Sequence, residues 1–178
     1  MTTFLLFILI ITIGVLIFMG YNVMALITGA PYVPVPSDGF ESFVSLLSLR
    51  DGDQVIDLGA GTGRISFALT KTGAIITAVE LNPILVCIGK IKVLLRGDSA
   101  KRIHFSCRNF WTVPLGSYDA IVMYCIPYQM ARLSKKIQEE MRPGSRVATY
   151  GFRFPDWEPV RQMGKVYLYV LGEHITTR

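Results

Sequence analysis

From Phe4 to Met19 the chain reads FLLFILIITIGVLIFM, almost unbroken aliphatic and aromatic sequence, and no Asp, Glu, Lys, Arg or His occurs before Asp38. With Gly20 to Ile27 added, the apolar stretch is about 24 residues, enough to cross a hydrocarbon core of roughly 30 Å at 1.5 Å per residue. A helix that is apolar all round is buried in protein or in lipid rather than laid on a surface. The stretch lacks the basic start of a secretory signal and the arginines of a mitochondrial presequence. TGA at Thr28 to Ala30 loosely matches a cleavage site, but Pro31 is a poor neighbour for cleavage, so the pattern predicts a retained membrane helix over residues 1–27. All Lys and Arg follow it, which predicts a single-pass topology with the remainder on the cytoplasmic side.

Residues 28–37 contain three prolines, Pro31, Pro34 and Pro36, which fix φ and remove amide donors. An extended segment is expected, whose Tyr32, Val33 and Val35 would gain by lying on a protein surface. Phe40, Phe43, Val44 and Leu47 then recur at helical spacing behind a capping Ser37 or Asp38.

Residues 38–178 read as one domain, in which strand and helix patterns alternate from Asp53 onward. QVIDLG, AIITAVE, RIHFSC, YDAIVMYCI and SRVATYGF read as apolar strands, and GRISFALTK, PILVCIGKIKVLL and YQMARLSKKIQEEM as helices. Apolar strands separated by helices predict an α/β fold, its mostly parallel sheet covered by helices on both faces. The final GKVYLYVLGEHITT reads as a pair of strands around Gly172, adding an antiparallel edge. In such a sheet the ligand lies outside the carboxyl ends of the strands, where strand order reverses.

The carboxyl end of the first strand carries the chemistry, in VIDLGAGTGRI. Gly59, Gly61 and Gly63 alternate with Ala60 and Thr62, so backbone can turn tightly and come close to a ligand. The spacing is GxGxG rather than the GxGxxG of dinucleotide sites, and Asp57 precedes the first glycine. A carboxylate there repels phosphate and suits an ammonium group, directly or through water. Glu80 ends the second strand, where a carboxylate can accept both hydroxyls of a ribose. A ribose, a cationic amine and no phosphate describe S-adenosylmethionine. A nicotinamide-dependent oxidoreductase would share the acid at the strand end but requires the other glycine spacing.

Composition changes this picture little. The three cysteines, Cys87, Cys107 and Cys125, form no CxxC pair and read as reduced, mostly buried thiols. His104 and His174 are isolated, so no metal site is expected. The net charge of +5 reads as a solvated basic face, with an anionic membrane surface or an acidic partner as the alternative, and no motif points to nucleic acid.

These residues resemble the class I S-adenosylmethionine-dependent methyltransferases, whose sheet is Rossmann-like. PYVPVP, VIDLGAGTGRI, VELNPIL, FWTVPLGSYDAIVMYCIP and FRFPDW are similar to the FAM173-type membrane-anchored protein-lysine methyltransferases. The resemblance implies Asp57 near the methionine amine, Gly59, Ala60, Gly61 and Gly63 against the cofactor, and Glu80 on the ribose. Asn109 would accept from the adenine amino group, beside Phe110 or Trp111. Tyr124, Pro127 and Tyr128 would line an acceptor pocket, with Arg153 to Trp157 at its rim. PYVPVP would fold over the cofactor mouth as a lid. The implied partners are a protein presenting a lysine near the membrane and the lipid bilayer. The alternatives are a lipid or other small membrane-soluble acceptor, or a catalytically silent scaffold. In a eukaryotic source the membrane would be the mitochondrial inner one.

Overall fold

The computed structural model describes residues 2–28, 38–124 and 127–173. PYVPVP, Cys125 and His174 fall outside them, so the lid reading of the proline segment does too.

Helix α1, Thr2–Thr28, is long and apolar enough to cross a membrane, and its apolar side chains from Phe4 to Met19 stand exposed. Helix α2, Asp38–Leu47, is amphipathic as its spacing predicts, and it buries Phe43, Leu46 and Leu47. Strand and helix then alternate through β1 (Gln54–Leu58), α3 (Arg64–Leu69), β2 (Ile75–Glu80), α4 (Pro83–Arg96), β3 (Ile103–Cys107), β4 (Ala120–Met123), α5 (Pro127–Glu140) and β5 (Arg146–Tyr150). The hairpin of β6 (Arg161–Met163) and β7 (Val166–Val170) follows. One sheet results, in the order β3-β2-β1-β4-β5-β7-β6, with the first five strands parallel and β7 and β6 antiparallel.

The central strands are apolar throughout because helices cover both faces. Val55, Ile76, Ala78 and Val122 pack toward α2 and α3, whereas Ile56, Leu58, Ile121 and Val147 pack with Leu133 and Ile137 of α5. That period of two in β1 turns Asp57 to the α3 face. Strand order reverses between β1 and β4, so the loop after β1 opens at the switch point.

Helix α4 starts where the sequence places it. Asn82 caps it, its side-chain oxygen accepting from the Ile84 amide at 2.9 Å, and Pro83 occupies the first turn. Helix α3 is shorter than expected, because residues Thr70–Thr72 tighten into a 3-10 turn that ends at Gly73. The strand expected after Gly172 lies outside the described residues, and the β6–β7 hairpin turns at Gly164, with φ of +57°. Its first strand, β6, is an exposed edge without apolar alternation, which leaves it no sequence signature. Cys87 and Cys107 are exposed, contrary to the expectation of buried thiols. Cys87 lies on the outer side of α4 and Cys107 ends the edge strand β3.

The ring of Phe105, on β3, lies in a slot between the glycine loop and α4. A Cβ added at Gly63 would fall 2.5 Å from its Cζ, and one at Gly89 would come closer still to the same atom. Moving the ring away from one backbone drives it into the other. Gly89→Ala should therefore lower stability by about 1–3 kcal/mol, despite the better helix propensity of Ala. A thermal melt checks this, and Phe105→Leu in the same chain should restore part of the loss.

Candidate functional site

The loop after β1 is built by hydrogen bonds that consume its amides. The N–H groups of Gly59 and Ala60 both donate to the Val79 carbonyl at 2.9 Å, and Gly63 donates to Ala60 at 2.8 Å. Gly61 donates to Glu80 Oε2 at 2.9 Å, while Asn82, past the end of β2, donates to Glu80 Oε1 at 2.8 Å. Glu80 is thus a clamp that joins the glycine loop to the start of α4. It stands at the strand end, with the second lone pair of each oxygen still available.

The three glycines serve different ends. Gly59, at φ +75°, has nothing within 4 Å of where a Cβ would stand, leaving open backbone for a ligand. Gly63, at φ +82°, is required by Phe105 and by the left-handed turn that starts α3. A phosphate-binding loop presents free amide donors. Here four are already spent on the protein, which together with two carboxylates fits a cationic cofactor and not a pyrophosphate.

Asp57 is only 1% exposed, and its carboxylate accepts from Ser66 Oγ at 2.6 Å. Burial raises its pKa to about 7, against the lowering effect of the Ser66 hydrogen bonds, and the charge of Glu80 adds to the rise. The residue is therefore buried at the base of the loop and bonded to α3.

Asn109 lies beyond the end of β3, beside Glu80, whose carbonyl accepts from the Arg108 amide at 3.0 Å. Its side-chain oxygen accepts from the Trp111 amide at 3.1 Å and caps a 3-10 turn over Phe110–Thr112, leaving one lone pair for an adenine amine. Phe110 is buried in the core on the α5 face, with its ring 4.9 Å from that of Trp111. Trp111 in turn carries the Arg132 guanidinium at 4.1 Å.

Tyr124, after β4, joins two aromatic rings from the end of β5. Tyr150 meets it edge-on at 5.2 Å and Phe152 stacks at 6.4 Å. Pro127 and Tyr128 begin α5 and are exposed. The segment expected as a rim, Arg153 to Trp157, divides between surface and core. Phe154 and Trp157 are buried against Tyr169, and the Trp157 indole donates to the Glu173 carbonyl at 2.9 Å. Arg153 and Pro155 stand exposed, Arg153 over the ring of Tyr167.

Sequence reasoning missed Ser66 and Lys92. The Lys92 ammonium donates to Thr62 Oγ1 at 2.8 Å, and burial together with the nearby Arg96 and Arg64 lowers its pKa. Neither residue sits in a motif, and both are brought to the loop by helix packing.

The family described as the ANTKMT methyltransferase domain matches residues 57–161, from Asp57 through the loop, Glu80 and the aromatic group. The chain belongs to this family. Among its relatives, a human lysine N-methyltransferase named for a component of ATP synthase is 34% identical over 76% of the chain and 57% of its own length. The mouse adenine nucleotide translocase lysine N-methyltransferase is 31% identical over 82% and 63%. A protein-lysine N-methyltransferase of Saccharolobus islandicus (strain REY15A) is 28% identical over 85% of the chain and 99% of its own length. The chain spans only 54–64% of the ATP synthase-directed enzymes of rat, human, Xenopus laevis and mouse. A Salinibacter ruber RNA methyltransferase, solved with S-adenosyl-L-homocysteine, shares the fold with a TM-score of 0.76 at 24% identity, over 82% of this chain and 98% of that one. Family and fold make S-adenosylmethionine the cofactor of the ANTKMT methyltransferase domain in this chain.

Proposed function

We propose that the chain methylates a lysine side chain of a membrane or membrane-proximal protein. The observation that carries this reading is the family match at Asp57 to Arg161, within which the relatives are named lysine N-methyltransferases. When bound, the cofactor would supply an electrophilic methyl on a sulfonium sulfur, for transfer to the lysine nitrogen with loss of the carbon–sulfur bond. The protein's part is to position and to desolvate. Glu80 holds the loop shut and would accept from the ribose. Gly59 offers open backbone, and Asn109 the remaining lone pair of its amide oxygen. The rings of Tyr124, Tyr150 and Phe152 form an apolar wall at the carboxyl ends of β4 and β5, suited to a lysine's methylene stem. Near such a wall an ammonium group releases its proton more readily, freeing the lone pair that attacks. Tyr128 and Pro127 lie at the same end of the sheet and complete the acceptor side.

Helix α1 would fix this chemistry to a bilayer, and the placement of every cation after it supports a domain on the cytoplasmic side. Incubating membranes that contain the chain with methyl-labelled S-adenosylmethionine should place label in protein, recoverable as methyl-lysine after acid hydrolysis. Label in the lipid extract instead would assign a small membrane-soluble acceptor.

A further inference from the structure

Helix α4 has two apolar faces, and only one is used by the fold. Leu85, Val86 and Gly89 face the sheet. On the opposite arc Ile88 and Ile91 stand exposed, and Leu94 and Leu95 are 81% and 80% exposed. At 100° per residue, Lys90 flanks this stripe on one side and Lys92 with Arg96 on the other. Arg64 of α3 adjoins them, its guanidinium over Phe40, while that of Arg96 lies over Phe67 at 4.0 Å. Among the described residues no carboxylate pairs with Lys90, Lys92, Arg96 or Arg64, whereas the nearby Asp98 and Asp51 are paired with Lys101 and Arg102. Four side chains of this size exposed in a stripe bordered by such cations match the pattern of an interfacial helix on anionic lipid.

Covalent length supports the same occupant. Helix α2 packs against α3, on the same side of the sheet as α4. Between the ends of α1 and α2 lie only residues 29–37. Fully stretched at about 3.3–3.6 Å each, they keep α2 within roughly 35 Å of the end of α1. A membrane-spanning α1 therefore holds the α2–α3–α4 side near the bilayer.

We propose that the outward stripe of α4, Ile88, Ile91, Leu94 and Leu95 with its flanking cations, docks on the surface of an anionic lipid bilayer. The proposal rests on α1 as the membrane span and is independent of which acceptor is methylated. Docking would present the domain in one orientation, with the helix that props the glycine loop lying along the lipid.

The test uses the full chain reconstituted in vesicles of phosphatidylcholine, with or without phosphatidylglycerol. An environment-sensitive fluorophore is attached at Leu94→Cys in a Cys87→Ser, Cys107→Ser, Cys125→Ser background, and in separate chains at Glu139→Cys on α5 and Leu9→Cys on α1. The Leu9 probe should be blue-shifted in both vesicle types. The Leu94 probe should shift to the blue and be quenched by spin-labelled lipid when phosphatidylglycerol is present, less so without it, while the Glu139 probe stays as in water. Ile91→Glu, at an exposed site that leaves the melt unchanged, should abolish the Leu94 shift. A Leu94 probe in water beside a buried Leu9 probe would overturn the docking and leave the anchor intact. A Leu94 shift that follows protein-to-lipid ratio would assign the stripe to a second copy of the chain, and a Leu9 probe in water would remove the anchor on which the proposal depends.

Discussion

Glu80→Ala should weaken binding of S-adenosylhomocysteine by roughly ten- to a hundredfold or more. Both carboxylate oxygens already accept backbone N–H groups, from Gly61 and from Asn82. Removing them leaves two donors unpartnered and detaches the loop from the start of α4, in addition to any contact with the ribose. Each charged hydrogen bond is worth about 1.5–3 kcal/mol, a factor of roughly ten to a hundred for a single one. Glu80→Gln should rescue little, because its amide nitrogen would face one of the two N–H donors. Calorimetric titration of the folded variants decides the matter. Affinity unchanged in Glu80→Ala would place the cofactor away from the β2 end.

Asp57→Asn should make the protein more stable at alkaline pH. The folded chain keeps the proton on Asp57 up to about pH 7, because burial disfavours the charge, whereas the unfolded chain releases it near 3.8. Between those values the folded state binds more protons, so stability falls as pH rises through the window. The full difference approaches about 4 kcal/mol at 1.36 kcal/mol per pH unit, an upper bound for a site that relaxes on ionisation. Asparagine can still accept from Ser66 and carries no charge to bury. Thermal melts between about pH 5 and pH 8 should slope downward in the parent chain and run flat in the variant. Parallel slopes would show that Asp57 is not the group that titrates.

Much of the molecule is legible in the sequence because both faces of its central sheet are covered. β1, β2 and β4 read as apolar runs, and PILVCIGKIKVLL, opening on Pro83, reads as α4. What escapes depends on distant contacts. β6 is too polar to show as a strand, so the hairpin it forms with β7 around Gly164 leaves no pattern in the sequence. Trp157 reads as a rim residue until Tyr169, on β7, is found against its ring. At the site, the GxGxG spacing, Asp57 and Glu80 are visible as a set, but the division of labour among the glycines is not. Gly63 answers to Phe105 on a different strand, and the approach of Lys92 to Thr62 exists only once α4 lies across the loop.

If α1 spans a bilayer as proposed, the short connection between α1 and α2 also acts on acceptors that never touch it. A domain tethered within roughly 35 Å of the bilayer samples a thin layer, in which a lysine on a neighbouring membrane protein is met at an effective concentration of about millimolar order. The same lysine on a free soluble protein gains nothing from the tether, and one carried far above the membrane is beyond reach. Height above the lipid thus becomes a filter on substrates, set by chain length alone, and a site with modest side-chain selectivity can still be selective in a cell.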